Sequence, residues 1–182
     1  MSSGKAVLVV DMLKDFIEEG AVLEVPKGRE IAPNIKRLID NARNKGILVV
    51  YVCDSHTSDD PEFAVWPPHA VEGTEGAEVI DPLKPQKNDV IVKKLKYDGF
   101  LGTMLDLVLR SRGINTLIIT GVLTNICVLY TAATAAMLGY KVVIPKDCVA
   151  SISDEDHEWA LRQMENVLKL EVLPLDSVLA TL

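Results

Sequence analysis

Short runs of Val, Ile and Leu alternate along this chain with longer amphipathic stretches, and this alternation limits the folds open to it. The runs are Ala6 to Val10, Ile47 to Val52, Val90 to Val92, Thr116 to Thr120, Lys141 to Ile144 and Leu170 to Leu173. Each is nearly continuous in apolar residues, the pattern of strands buried on both faces of a parallel sheet. The stretches between them have helical spacing. Ile31 to Asn44 sets Ile31, Ile35, Leu38 and Ile39 on one stripe before Gly46. Thr103 to Arg112 places Met104, Leu105, Val108 and Leu109 before Gly113. Thr124 to Leu138 is almost wholly apolar and small, as a buried helix would be. Ser153 caps an acidic first turn, followed by Trp159, Ala160, Met164, Val167 and Leu168. The expectation is a three-layer α/β/α, doubly wound, mainly parallel sheet of about six strands.

Composition removes other classes. The chain has 182 residues, 48% hydrophobic and 25% charged, so it is not disordered. A chain this long buries about 70% of its unfolded surface in one core. One domain over residues 1–182 is expected. The net charge of −7 argues against a nucleic-acid groove, and Lys93, Lys94 and Lys96 are too few to make one. Apolar runs such as Ile114 to Val122 are too short to span a membrane. Met-Ser-Ser-Gly-Lys runs straight into a strand, so no signal peptide is expected. Three widely spaced cysteines, Cys53, Cys127 and Cys148, form no disulfide framework and fit a reducing cytoplasm. Apolar residues on helix surfaces point to a homo-oligomer. No G-x-G-x-x-G follows the first strand, so no nucleotide cofactor is expected.

In doubly wound sheets, ligands bind beyond the carboxyl ends of the strands. Those ends hold Asp11, Cys53-Asp54, Lys93-Lys94 and the turn Gly121-Val122-Leu123-Thr124, with Cys127 just after it. Taken singly, Asp11 fits a turn, Lys94 a solvated charge and Cys127 a small core hydrophobe. Together they make a chemical set. A thiolate is a strong nucleophile, and a cation or helix N-terminus lowers a thiol's pKa. Asp11 could take the thiol proton and return it to a leaving amine. Backbone N–H groups of the turn from Leu123 to Cys127 could bind an oxyanion.

The segment from Cys53 to Gln86 breaks the alternation. It carries acids, glycines and Pro61, Pro67, Pro68, Pro82 and Pro85, and reads as a functional loop. Asp54, His56, Glu62 and His69 offer two imidazoles and two carboxylates, a donor set for zinc, iron or manganese. The plainer reading is a surface loop with scattered polar residues. Trp66 is either a core plug or, with Phe16 and Tyr97, the wall of a pocket for a flat substrate.

Three ordered motifs carry a resemblance over nearly the whole chain. The run from Val9 to Phe16, the Lys94-x-x-Tyr97-x-x-Phe100 element and the run from Gly121 to Val128 resemble the isochorismatase-like cysteine hydrolases. The resemblance implies a catalytic triad of Asp11, Lys94 and Cys127. It also implies a non-proline cis peptide at Val122–Leu123, with oxyanion donors at Leu123 and Cys127. The loop, with Asp54-x-His56, Glu62 and Trp66-Pro67-Pro68-His69, resembles the metal site of the nicotinamidase (pyrazinamidase) branch. There one divalent metal, expected to be zinc, binds the pyridine nitrogen of nicotinamide. The implied reaction converts nicotinamide to nicotinate and ammonia through a thioester. An N-carbamoylsarcosine amidase-like or other ureido hydrolase is the alternative. Three positions, in two places, depart from the family pattern: Asp98-Gly99 replaces a common Ser-Ala pair, and Leu13 a common Gln. Both are expected beside the pocket.

A rival from another class is a phosphoacceptor receiver, a signalling module, using Asp11, Asp54, Thr120 and Lys94. Chain order disfavours it, because a receiver's lysine follows its threonine strand and Lys94 precedes Thr120.

Overall fold

A computed structural model describes residues 4–182. The strands are β1 (Lys5–Val10), β2 (Leu48–Asp54), β3 (Val90–Lys94), β4 (Thr116–Val122), β5 (Lys141–Pro145), β6 (Val149–Ala150) and β7 (Glu171–Leu173). The helices are α1 (Lys14–Ile17), α2 (Pro26–Asn44), α3 (Leu105–Arg110), α4 (Leu129–Met137), α5 (Asp154–Asn166) and α6 (Leu175–Thr181). Six strands lie in the order β3-β2-β1-β4-β5-β7, all parallel.

The seventh strand, β6, departs from the expected six. β5 pairs with β4 only from Thr116 to Ile118, and β6 then takes its place beside Gly121 and Val122. Two residues are too few to leave a periodic signal. The sheet order runs outward in opposite directions from β1 and β4, so the switch point lies between them. A ligand crevice belongs there, at their carboxyl ends.

Alternate residues of the central strands feed two cores. Val7, Val9, Val49 and Tyr51 meet Ile35, Leu38 and Ile39 of α2. Leu8, Val10, Val50 and Val52 meet Leu105, Leu109, Ala132 and Met164 of α3, α4 and α5. Continuous apolar strands were the sequence signature of this two-sided burial. Some helix positions differ. Met104, Trp159 and Val167 face solvent rather than the core. The first turns of α2 precede the stripe that signals it, with Pro26 at the start. Gly28 masks that start, but it has a packing reason: a Cβ there would lie 2.4 Å from Ile17 Cδ1.

The loop after β2 is irregular, as expected, with 3₁₀ turns at Pro61–Ala64, Glu75–Ala77 and Asp81–Leu83. It is strapped to the residues after β1. Ile80 N–H donates to Met12 O at 3.0 Å, Lys14 N–H to Glu78 O at 2.9 Å, and Ala70 N–H to Asp15 Oδ2 at 2.8 Å. Among the described residues no helix is long and apolar enough to cross a membrane.

Candidate active site

Asp11 follows the last residue of β1, and its φ of 50° places it in the left-handed region that Asp tolerates better than most residues. The kink is fixed from both sides. Asp11 N–H donates to Val52 O at 3.0 Å, and Asp11 Oδ1 accepts from Asp54 N–H at 2.8 Å. Asp54 and Lys94 are register partners across β2 and β3, so their side chains share a face. The turn after β4 contains the cis peptide Val122–Leu123 and continues as a π-helical turn, Thr124–Val128, that carries Cys127. Gly121 permits the approach of β4 to β1, since a Cβ there would lie 1.9 Å from Val10 O at a φ of 109°.

These elements bring Asp11, Lys94 and Cys127 together. Lys94 Nζ lies 2.8 Å from Asp11 Oδ2 and 3.5 Å from Cys127 Sγ, and it pairs with Asp54 Oδ1. All four residues are buried. One ammonium therefore serves two carboxylates in a medium of low dielectric. Burial opposes the Lys94 charge, but Asp11, Cys127 and Asp54 overcome it and hold its pKa well above the usual lysine range. Burial, then repulsion from Asp54, pushes Asp11 up to about 6 against the pull of Lys94. Asp54 also feels burial, yet Lys94 and His56 keep its pKa below the ordinary value.

The thiol departs from expectation. A nearby lysine and helix start favour a lowered pKa. Instead burial raises Cys127 well above the usual thiol range, and Lys94 only partly offsets it. Burial thus favours the neutral thiol, and a base stands close to it: the donor atoms of Asp11, Asp54 and Cys127 all lie within 4.8 Å of one another.

The loop supplies a second cluster. Asp54, His56 and His69 bring one donor atom each within 4.8 Å. His69 Nδ1 donates to Pro67 O at 2.7 Å, and His56 Nδ1 to Asp60 Oδ2 at 3.0 Å. Those bonds turn both Nε2 atoms toward Asp54 Oδ2, at 3.8 Å (His56) and 3.9 Å (His69). The carboxylates of Asp54 and Asp60 raise the His56 pKa to about 9, so a cation binding there would displace its Nε2 proton. His56 Nε2 is buried with no hydrogen-bond partner. Three donors converging on one point, one of them orphaned, fit a divalent cation. Glu62 stands beside this trio. It groups with His56 and Asp60 and pairs with Lys96 Nζ at 3.1 Å. Asp60, which orients His56, was not singled out from the sequence. Its signal is its place four residues after His56 and before Pro61.

Both clusters open into one cavity of about 470 Å³, lined also by Phe16, Trp66 and Tyr97. Trp66 is not a core plug. Its Nε1–H donates to Tyr97 OH at 2.8 Å, and Tyr97 stacks on Tyr130 at 6.0 Å. Phe16 packs on His69 with ring centroids 5.5 Å apart. Leu123 and Cys127 line the same cavity.

The two departures from the family pattern lie away from it. Leu13 is wholly buried in the core beneath α2. Asp98 turns toward α4, where Oδ1 accepts from Phe100 N–H at 2.9 Å and Oδ2 from Thr134 Oγ1 at 2.8 Å. Gly99 N–H donates to Thr131 Oγ1 at 2.9 Å. Asp98→Ala should therefore cost about 1–2 kcal/mol of stability. A denaturant titration should show that loss, while kinetics should show an unaltered order of substrates. Thr120, the receiver candidate, is also away from the site: its hydroxyl donates to Leu8 O at 2.8 Å and is fully buried.

The fold and the cluster define a doubly wound α/β protein with a buried acid–lysine–cysteine group at its switch point. Comparison with known proteins gives the family. The isochorismatase domain matches residues 5–173, and the chain belongs to the isochorismatase family of hydrolases. An uncharacterized isochorismatase family protein of Bacillus subtilis is 36% identical, covering 92% of this chain and 98% of its own. An Arabidopsis thaliana protein named a probable inactive nicotinamidase is 34% identical, with 89% and 88% covered. The structure of a nicotinamidase/pyrazinamidase from Bacillus subtilis superposes with a TM-score of 0.89 at 38% identity, covering 93% of this chain and 98% of that one. A pyrazinamidase of Pyrococcus horikoshii in complex with zinc gives 0.88 at 34%, with 94% and 99% covered. An N-carbamoylsarcosine amidase from Thermoplasma acidophilum gives 0.87 at 36%, with 94% and 96% covered.

Proposed function

We propose that the protein is a cysteine-dependent amidohydrolase that converts nicotinamide to nicotinate and ammonia. The observation that carries this reading is the convergence of Lys94 on Asp11 and Cys127 beside the Asp54–His56–His69 donors. In the reaction, Asp11 takes the Cys127 proton as Sγ attacks the amide carbon. The N–H groups of Leu123 and Cys127 hold the oxyanion. Asp11 returns the proton to the departing amine, ammonia leaves, and a thioester remains. Water then attacks the thioester, giving its proton to Asp11, and the thiol is regenerated with the acid as product. Lys94 balances the charge that moves between Asp11 and sulfur.

Asp54, His56 and His69 would hold a divalent metal, zinc first and iron or manganese next, with Glu62 the fourth of the proposed set. When bound, it supplies a Lewis-acid anchor for the pyridine nitrogen. Phe16, Trp66 and Tyr97 enclose the ring. Likeness to the nicotinamidase and to the zinc-bound pyrazinamidase supports this substrate and this metal. Likeness to the N-carbamoylsarcosine amidase supports a small ureido amide as the second reading. We further propose a cytoplasmic homo-oligomer. Three free, buried cysteines support the compartment, and exposed Leu101, Leu107, Tyr130 and Met137 support self-association.

Ammonia release from nicotinamide, pyrazinamide, N-carbamoylsarcosine and isochorismate tests the reading. Turnover of the first two fastest is expected. The relative named as inactive makes activity itself the first result to obtain. Removing the metal should separate orientation from chemistry. Metal-stripped protein should lose about 100-fold in kcat/KM on nicotinamide but only a few-fold on benzamide, which has no ring nitrogen. Equal losses on the two amides would end the orienting role.

A further inference from the structure

The cavity that ends on Cys127 is larger than one ring requires. Cavities of about 300–1,000 Å³ accept drug-sized ligands. This one measures about 470 Å³, of which a pyridine ring with one amide fills a minor part. Its floor is polar, with Asp11, Asp54 and Cys127. Its outer wall is aliphatic, formed by Val22, Leu23, Ile126 and Ile152. Val22 and Ile152 are 46% and 65% exposed. Aliphatic carbon left open to water, continuous with a reactive group, is surface that gains by being covered. The charged residues of this outer part are acids, Glu24 and Asp156. The basic side chains of the same segments are already engaged. Arg29 bonds Glu24 at 2.7 Å and Ile17 O at 2.8 Å, and Lys27 pairs with Asp154. An anionic group entering here would meet carboxylates and no spare cation.

We infer that the site takes, besides nicotinamide, primary aromatic amides that carry an uncharged apolar arm, and takes them more tightly, with the arm on the wall of Val22, Leu23, Ile126 and Ile152. The inference rests on the amidohydrolase reading and extends its substrate class. The arm adds binding energy far from the reacting carbon and leaves the chemistry of Asp11 and Cys127 as it is.

The probes are nicotinamide, nicotinamides carrying a butyl group at either ring carbon remote from the amide, and their carboxypropyl counterparts. Two readouts are taken on the full chain: kcat/KM with the native protein, and calorimetric affinity with the Cys127→Ala protein. At least one butyl isomer should gain about tenfold over nicotinamide in both, from the apolar area it covers. The carboxypropyl counterpart should gain nothing. Ile152→Ser should remove most of the butyl gain, lowering the butyl amide far more than nicotinamide. No gain from either butyl isomer, or an equal gain from the carboxylate, would overturn the inference. So would equal losses on both substrates in Ile152→Ser. The two readings fail separately. Tighter butyl binding with no turnover of any amide would end the amidohydrolase reading alone. Nicotinamide turnover with no butyl gain would end the apolar wall alone.

Discussion

Cys127→Ala should lower kcat by about 10³-fold or more while leaving the protein folded. The size of the effect follows from the mechanism, because the proposed covalent intermediate forms on the Cys127 sulfur that alanine lacks. The fold should survive because the change removes one sulfur from a small buried side chain and leaves the Lys94 pairs with Asp11 and Asp54 in place. Thermal unfolding should therefore stay close to that of the parent. Cys53→Ala and Cys148→Ala serve as controls and should stay active. Both thiols belong to the opposite core layer, and burial raises the pKa of each. Iodoacetamide should modify Cys127 first, since that thiol lines the cavity and has Asp11 to take its proton. Labelling of Cys53 ahead of an inert Cys127, together with an active Cys127→Ala protein, would remove the assignment.

Asp11→Asn should reduce kcat by about 10²-fold or more. The replacement is nearly isosteric. Its carbonyl oxygen can still accept from Asp54 N–H, which holds the kink after β1. What it loses is the capacity to accept a proton from a thiol whose pKa burial raises. That upward shift is why the expected loss is large: a preformed thiolate would need no base for its attack. The pair should also behave as one machine. Asp11→Asn combined with Cys127→Ala should be no slower than Cys127→Ala alone, because a base has nothing to do once its thiol is gone. A double variant slower by the product of the two single effects would mean that the residues act independently.

The sequence showed most of what depends on strand position. Parallel strands buried on both faces leave apolar runs, so β1 to β5 and β7 were visible, and the strand-end rule then gathered Asp11, Asp54 and Lys94. The rest depends on distances that no local pattern encodes. β6 is too short to leave a period. α6 buries just two side chains fully, Leu175 and Val178, after Pro174, with Leu179 packed at the edge of the core. The charge state of Cys127 is decided by burial against one lysine, a balance that exists only once the cluster is assembled. Asp60 became meaningful when His56 turned Nδ1 toward it. Asp98 sits between two aromatic motif positions, yet its rotamer reaches Thr134 on α4 rather than the cavity.

The proposed nicotinamide hydrolysis passes through a covalent acyl intermediate on Cys127. Rapid acid quench of the metal-replete protein during the first turnover, followed by peptide mass analysis, tests it directly. The expected result is a nicotinoyl thioester on the peptide containing Cys127, appearing with a burst of ammonia and decaying as nicotinate forms. Ammonia released with no acyl group on that peptide, or with the acyl group on another side chain, would contradict it.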